Sequence, residues 1–426
     1  MTCINCFFSP EYQRHLKCQT HNIERFENRL QKYKQLFINK LKKLKSIEEC
    51  NCKYHNVLNL ENSEYEKYVN YTNKYFKIIL DNTSIIEEFF NLIIDTYILY
   101  ISKSYKHAVE QFWEVLQKYK LNNSLSNSVF NEILFFRARL NDNSYDINNP
   151  KNFFHIPFNQ RYKVGNQRFS ISGQPMLYFG NSILTICKEL EKTTDELAFS
   201  AFIPTYNVIK NINLLSPCIY EWLVNNLPAI AYSSDMLEIN PQNILNDVRK
   251  SLLCEILTFP TKNKGAFVEE YVLPQAYTTL LIENGWYGIK YPSTKDYSNV
   301  RGIHRFSKYN YNFAIFTNYH FYNNLDEELF NKFIPILPQN LHSSNITINE
   351  IEQYMKNIKE QNKKYNAPCI SYFINQKIQI DDLKSATIDG KNYFDTEYGK
   401  IELNLMSELY NKILQIMKYQ YYTSKK

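Results

Sequence analysis

The sequence predicts an α+β fold with a helical front, a mixed centre and a helical tail. Three observations carry that reading. Residues 23–120 keep an apolar spacing of three to four, and residues 130–321 break into short apolar runs divided by turns. Helical spacing then returns beyond residue 325. Only 9 Gly and 14 Pro occur among 426 residues, which disfavours a sandwich of many short strands. The length allows two or three domains at about 100–200 residues each.

In the front part, Phe26, Leu30, Tyr33, Phe37 and Leu41 draw one stripe along a helix. Phe89, Ile93, Tyr97 and Tyr100, then Phe112 and Leu116, draw the next. The polar stretch LNNSLSNS at 121–128 reads as a linker. After it, ILFFRARL, MLYFG, LAFSAFIP, WYGIKYPS and FAIFT read as strands, with helices near 182–192 and 268–284. Helices are expected again at 348–362 and 401–419, with a strand-like stretch at 370–380. No internal repeat is present. The expected division is 1–56, 57–128, 129–322 and 323–426.

With 44% hydrophobic and 15% aromatic residues, the chain can build a sizeable core. A net charge of +6 is small for this length and disfavours a dedicated nucleic-acid binder. The start has no basic region followed by an apolar run, and the most apolar window, 85–101, is interrupted by Glu87, Glu88 and Asp95. A cytoplasmic chain with no membrane partner is the expectation. Disulfides are then the wrong default for its nine cysteines.

The most informative stretch is RFSISGQPMLYFGNSILTICKE, residues 168–189. It sets Arg168, Tyr178 and Glu189 ten and eleven residues apart on a loop, a strand and a helix. Arg offers a rigid fork of donors to phosphate oxygens, and its loop setting predicts a solvent-facing guanidinium. Tyr178 can lay its ring against a flat heterocycle. A carboxylate near a ribose can orient a hydroxyl and stabilise positive charge at the anomeric carbon. Each residue also has an ordinary alternative: a solvated Arg, a core Tyr, an exposed Glu.

Several motifs in one order add to this. QRFSISG, QPMLYFG and NSILTICKE are followed by GIKYPS, which brings Ser293. FFRARL opens the run of strands and NFAIFT closes it. Over residues 130–321 the sequence resembles the RES domain, whose pattern is Gly-Arg-Phe-Asn-x-x-Gly, Pro-x-Leu-Tyr, a helix ending in Glu, and Gly-Ile-x-Tyr-Pro-Ser. Two positions depart from it: Ser170 stands for the Asn and Gln167 for the Gly.

The resemblance implies an ADP-ribosyltransferase-like mixed sheet and an NAD⁺-consuming toxin restrained by a protein antitoxin or regulator. It implies hydrolysis or phosphorolysis of the nicotinamide–ribose bond, or transfer of ADP-ribose to protein. Arg168 would bind the pyrophosphate or its neighbouring ribose, Tyr178 would stack on nicotinamide, and Glu189 would steer the ribose. Ser293 would hold the ribose or a phosphate. Arg137, His155, Arg161 and Tyr291 complete the expected NAD⁺-binding set. Arg137 and Arg139 share a strand face, and a buried structural role competes for His155.

Five cysteines fall within the first 52 residues. Cys3 and Cys6, with Cys50 and Cys52, form two short pairs able to grip one tetrahedral Zn²⁺. The second pair is Cys-x-Cys rather than Cys-x-x-Cys, and reduced cysteines without metal are the competing expectation. Cys18, His15, His21 and His55 are spare candidates. The first 120 residues also resemble HEPN-like helical regions joined to some RES proteins. Arg14 and His21 are the nearest pair to that group's ribonuclease motif, while sensing, inhibitor docking or homo-oligomer formation is the favoured role. The remaining alternative is a zinc-headed RNA- or partner-binding protein whose RES domain is vestigial.

Overall fold

The computed structural model describes residues 2–50, 62–121, 134–142, 144–225, 230, 239–262, 265–297, 299–301, 310–336, 346–365, 380 and 383–423. The chain divides into two compact units, Met1–Leu125 with Gly165–Ser172 and Leu214–Gly285, and Ser126–Val164 with Gly173–Asn213 and Trp286–Lys426. The fold is mixed α and β, and the span 129–322 contributes to both units.

The first unit is helical. Phe26, Leu30, Tyr33, Phe37 and Leu41 are all fully buried along helix Phe26–Leu41. They meet helix Thr83–Ser102 in an edge-to-face aromatic cluster, in which the Phe37 and Phe90 centroids lie 5.4 Å apart and Phe26 and Tyr97 5.1 Å. Helices Asn62–Asp81, Tyr105–Lys118, Pro241–Leu257 and Val272–Glu283 complete this packing. Pro241–Leu257 is a helix that the periodicity reading left unassigned. Asn240 caps it by accepting from Gln242 N and Asn243 N, and Pro241 occupies its first turn. Two buried ion pairs, Arg29–Glu270 and Lys17–Glu255, tie the front helices to residues 255–270.

The second unit is built on a seven-stranded sheet. Its strands are β1 (Phe135–Leu140), β2 (Met176–Gly180), β3 (Leu197–Pro204), β4 (Ile212–Leu214), β5 (Gly288–Pro292), β7 (Tyr311–Phe316) and β8 (Phe333–Ile336). They run β4-β5-β7-β2-β1-β3-β8. β6 (Val300–Arg301), β9 (Thr387–Ile388) and β10 (Lys391–Asn392) form a small second sheet. Neither β8 nor this small sheet is marked by a long apolar run.

Both faces of the large sheet are covered. On one, Phe135 and Phe313 stack at 4.0 Å, beside Phe179, Phe202 and Phe333. On the other, Phe136, Phe199 and Ala201 pack with Ile183, Ile186, Leu403, Met406 and Leu409. Double-sided burial explains why the strands read as apolar runs rather than alternation. At Gly288 the fit admits no side chain, since a Cβ would lie 2.6 Å from the Ala314 carbonyl oxygen.

The described part of 325–423 contributes to the core of this unit. Helices Ile348–Tyr365 and Glu397–Thr423 supply Ile351, Ile358, Leu405 and Tyr410 to it. The strand-like stretch 370–380 lies outside the described residues except for Ile380. So does most of the 121–128 linker.

Candidate functional site

Helix Ile183–Leu190 brings Glu189 to the end of β5 and β7. There Glu189 Oε1 accepts from Ser293 Oγ at 2.6 Å and from Asn312 Nδ2 at 2.6 Å. Ser293 Oγ also accepts from Lys295 N at 3.2 Å, which fixes the hydroxyl's direction. Oε2 of Glu189 makes no hydrogen bond among the described residues, and the side chain is half-buried.

Strand register places Tyr178 on the same side as this carboxylate. Tyr178 pairs with Ala314, and Gly180 with Asn312. Tyr178 and Asn312 are therefore diagonal neighbours on one face, roughly 7–8 Å apart. Tyr291 pairs with Asn312 from the other flank and is buried on that face. Tyr178 is half-buried at the middle of β2. Tyr178, Glu189, Ser293 and Tyr291 thus share one region of the second unit. Asn312 joins them, a residue the sequence reading passed over.

The other expected residues have contacts of their own. Arg168 belongs to the first unit, in a turn closed by Gln167 N to Ser170 O at 3.0 Å. Its guanidinium is buried rather than solvent-facing, a correction to the loop-based expectation. Nη1 donates to the carbonyls of Leu257 at 3.2 Å and Phe259 at 2.9 Å, and the group lies over the Tyr271 ring at 5.1 Å. Carbonyls past a helix end lack intrahelical partners, and a buried cation satisfies them. Gln275 Nε2 fixes the same turn through Asn166 Oδ1, Gln167 O and Ser170 O.

Arg137 points away from the Tyr178 face, because β1 alternates and Phe136 is the residue paired with Gly180. β1 and β2 pair only there, and Arg137 Nη1 spans the gap to donate to Tyr178 O at 2.7 Å. Burial, aided by Arg139, pushes the Arg137 guanidinium down to about 9. Its Nε is buried without a partner. His155 is also not free for a ligand. Nδ1 meets Ile156 O at 2.7 Å and Nε2 accepts from Asp326 N at 2.9 Å, which defines a neutral, structural imidazole. Burial lowers its pKa accordingly. Arg161 is exposed, over the Tyr319 ring at 5.6 Å.

The first unit holds a second cluster. The Sγ atoms of Cys3, Cys6 and Cys50 lie within 4.8 Å of one another, with Cys6 and Cys50 at 3.9 Å. A tetrahedral zinc with Zn–S near ~2.3 Å has S···S edges of roughly 3.8 Å, so the spacing suits a metal. Cys3 and Cys6 fall one turn apart because helix Ile4–Phe7 starts between them. The thiols sit against Ile47, Tyr68 and Val69. Asn5 Nδ2 donates to Tyr68 OH at 2.6 Å, and Tyr68 OH to Leu223 O at 2.8 Å. Burial and the adjacent Cys3 push the Cys50 thiol up. Cys52 and His55 lie outside the described residues. Cys18, His15 and His21 are not in the cluster.

Comparison of the chain with protein-family models, with curated proteins and with solved structures returns no match. Among the described residues, no helix is long and apolar enough to cross a membrane.

Proposed function

We propose that this chain cleaves the nicotinamide–ribose bond of NAD⁺, as a RES-type toxin held in check by a protein antitoxin or regulator. The observation that carries this reading is the Glu189 carboxylate, held through one oxygen by Ser293 and Asn312 and, among the described residues, not hydrogen-bonded at the other. The RES-like motif order and the parting of β1 from β2 in a mixed sheet support an ADP-ribosyltransferase-like fold.

In this reading Glu189 orients a ribose hydroxyl and stabilises the positive charge that develops as the C1–N bond lengthens. The bonding pair leaves with nicotinamide, which departs as a neutral molecule and needs no strong acid. Water attacks the same carbon, giving ADP-ribose and one proton; phosphate in its place gives phosphorylated ADP-ribose. Tyr178 offers its ring to the nicotinamide from the shared face. Ser293 and Asn312 keep the carboxylate from turning away, which limits the reorganisation needed in the transition state.

Cys3, Cys6 and Cys50 would hold a structural Zn²⁺ in the first unit, with Cys52 as the fourth ligand by spacing. The metal would supply a coordinate tie between two segments, residues 3–6 and 50–52, and takes no part in the reaction.

Incubation of the full-length protein with NAD⁺, with and without phosphate, tests the reading. Nicotinamide is the expected product in both, and adenylate label remaining on protein would mark the ADP-ribosyltransferase alternative. Glu189→Ala should lose at least ~100-fold, about 2.7 kcal/mol of transition-state stabilisation. Undiminished release by that variant would overturn the assignment of Glu189.

A further inference from the structure

Glu189 stands near the end of a helix only eight residues long, Ile183–Leu190. So short a helix has no stability of its own in water. Whatever fixes its ends therefore fixes the carboxylate. Ser182 Oγ accepts from Thr185 N at 3.1 Å. The first amide of the helix, Ile183 N, donates to Glu402 Oε1 at 2.6 Å. Glu402 comes from helix Glu397–Thr423 and is 1% exposed. The same oxygen accepts from Tyr393 OH at 2.5 Å.

The approach of these segments is built in. A Cβ at Gly399 would overlap the Tyr393 carbonyl oxygen, so only glycine lets the C-terminal helix start so close to the 393–395 turn. Ile183, Leu184, Cys187, Leu403 and Met406 pack in one cluster around the contact. At the far end, Lys188 Nζ donates to Asp296 O at 2.7 Å and to Asn299 Oδ1 at 3.1 Å. That segment begins at Ser293, the residue bonded to Glu189. Ile183 and Glu189 are about 9 Å apart along this one helix, which is held at both ends by these bonds.

We propose that Glu402 is a positioning residue for the Glu189 site, its carboxyl fixing the start of the helix whose last turn carries Glu189. The proposal rests on the reading of Glu189 as the ribose-orienting group. It makes the C-terminal segment part of the active unit rather than an appendage.

The test compares full-length wild type, Glu402→Ala, Glu402→Gln and Tyr393→Phe, below the melting temperature of each. The readouts are nicotinamide release across NAD⁺ concentrations and amide hydrogen exchange at residues 183–185. Glu402→Ala should lower kcat ~10-fold or more, with KM within about threefold and faster exchange at Ile183. Glu402→Gln keeps an acceptor oxygen and should restore both. Wild-type kcat in Glu402→Ala, or equal impairment in Glu402→Gln, would overturn the proposal. If Glu402→Ala does not fold, Tyr393→Phe decides, since loss of its bond to Glu402 should loosen Ile183 and leave KM unchanged. A wild type that releases no nicotinamide overturns the functional reading alone. Exchange at Ile183 then judges the positioning role, and equal protection in wild type and Glu402→Ala would end it.

Discussion

The carboxyl of Glu402 makes stability depend on pH in a direction opposite to that of most acidic residues. Burial pushes it up to about 7 from an ordinary 4.5, despite hydrogen bonds from Tyr393 OH and Ile183 N that favour the charged form. Its titratable surroundings are Tyr393 and Cys187, whose own pKa values this carboxylate helps to raise. Between these two pH values the folded chain holds a proton that the unfolded chain has released. Stability is therefore fully present below about 4.5 and declines as pH rises toward 7. At 1.36 kcal/mol per pH unit, the gap corresponds to roughly 3 kcal/mol across the window. Glu402→Gln mimics the neutral acid and removes this dependence. Urea unfolding of the second unit at pH 5, 6, 7 and 8, followed by near-UV circular dichroism, measures it. The variant should gain on wild type steadily from pH 5 to 7.5 and hold its lead beyond. A wild-type-minus-variant difference that stays constant with pH would refute the reasoning.

Three further outcomes follow from the packing. Native protein purified with thiols reduced should carry one zinc per chain by elemental analysis, lost in Cys3→Ser, Cys6→Ser and Cys50→Ser; zinc near zero after reconstitution would remove the site. Arg168→Met should cost ~2–4 kcal/mol in thermal unfolding, because two buried carbonyls lose a charged donor; an unchanged melting temperature would mean the guanidinium is not held there. Gly288→Ala should destabilise by about 1–3 kcal/mol through overpacking against Ala314, and a neutral effect would contradict the close approach of β5 to β7.

Elements that repeat a period over several turns were legible. The stripe from Phe26 to Leu41 became an unbroken buried face because each residue recurs one turn on. Strands such as Leu197–Pro204 were legible as apolar runs because both sheet faces are covered. Pro241–Leu257 carried its own signal, Asn240-Pro241 before an apolar spacing, and was still passed over.

The candidate site was half legible. Tyr178, Glu189 and Ser293 could be named from motif and spacing. Asn312 could not, since its role depends on standing opposite Gly180 in a neighbouring strand. Arg168 looked exposed in a polar loop because the carbonyls that bury it lie 89 and 91 residues away. Glu402 left only a faint mark, an acid among Ile401, Leu403, Leu405 and Met406 in a stretch, 401–407, that is buried throughout. Long-range hydrogen bonds leave no periodic trace.

The most direct measurement is chromatographic analysis of NAD⁺ after incubation with wild type and with Glu189→Gln. The account predicts free nicotinamide from wild type and at least ~100-fold less from the variant, at unchanged melting temperature. Intact NAD⁺ with wild type, or equal release from both, would contradict it.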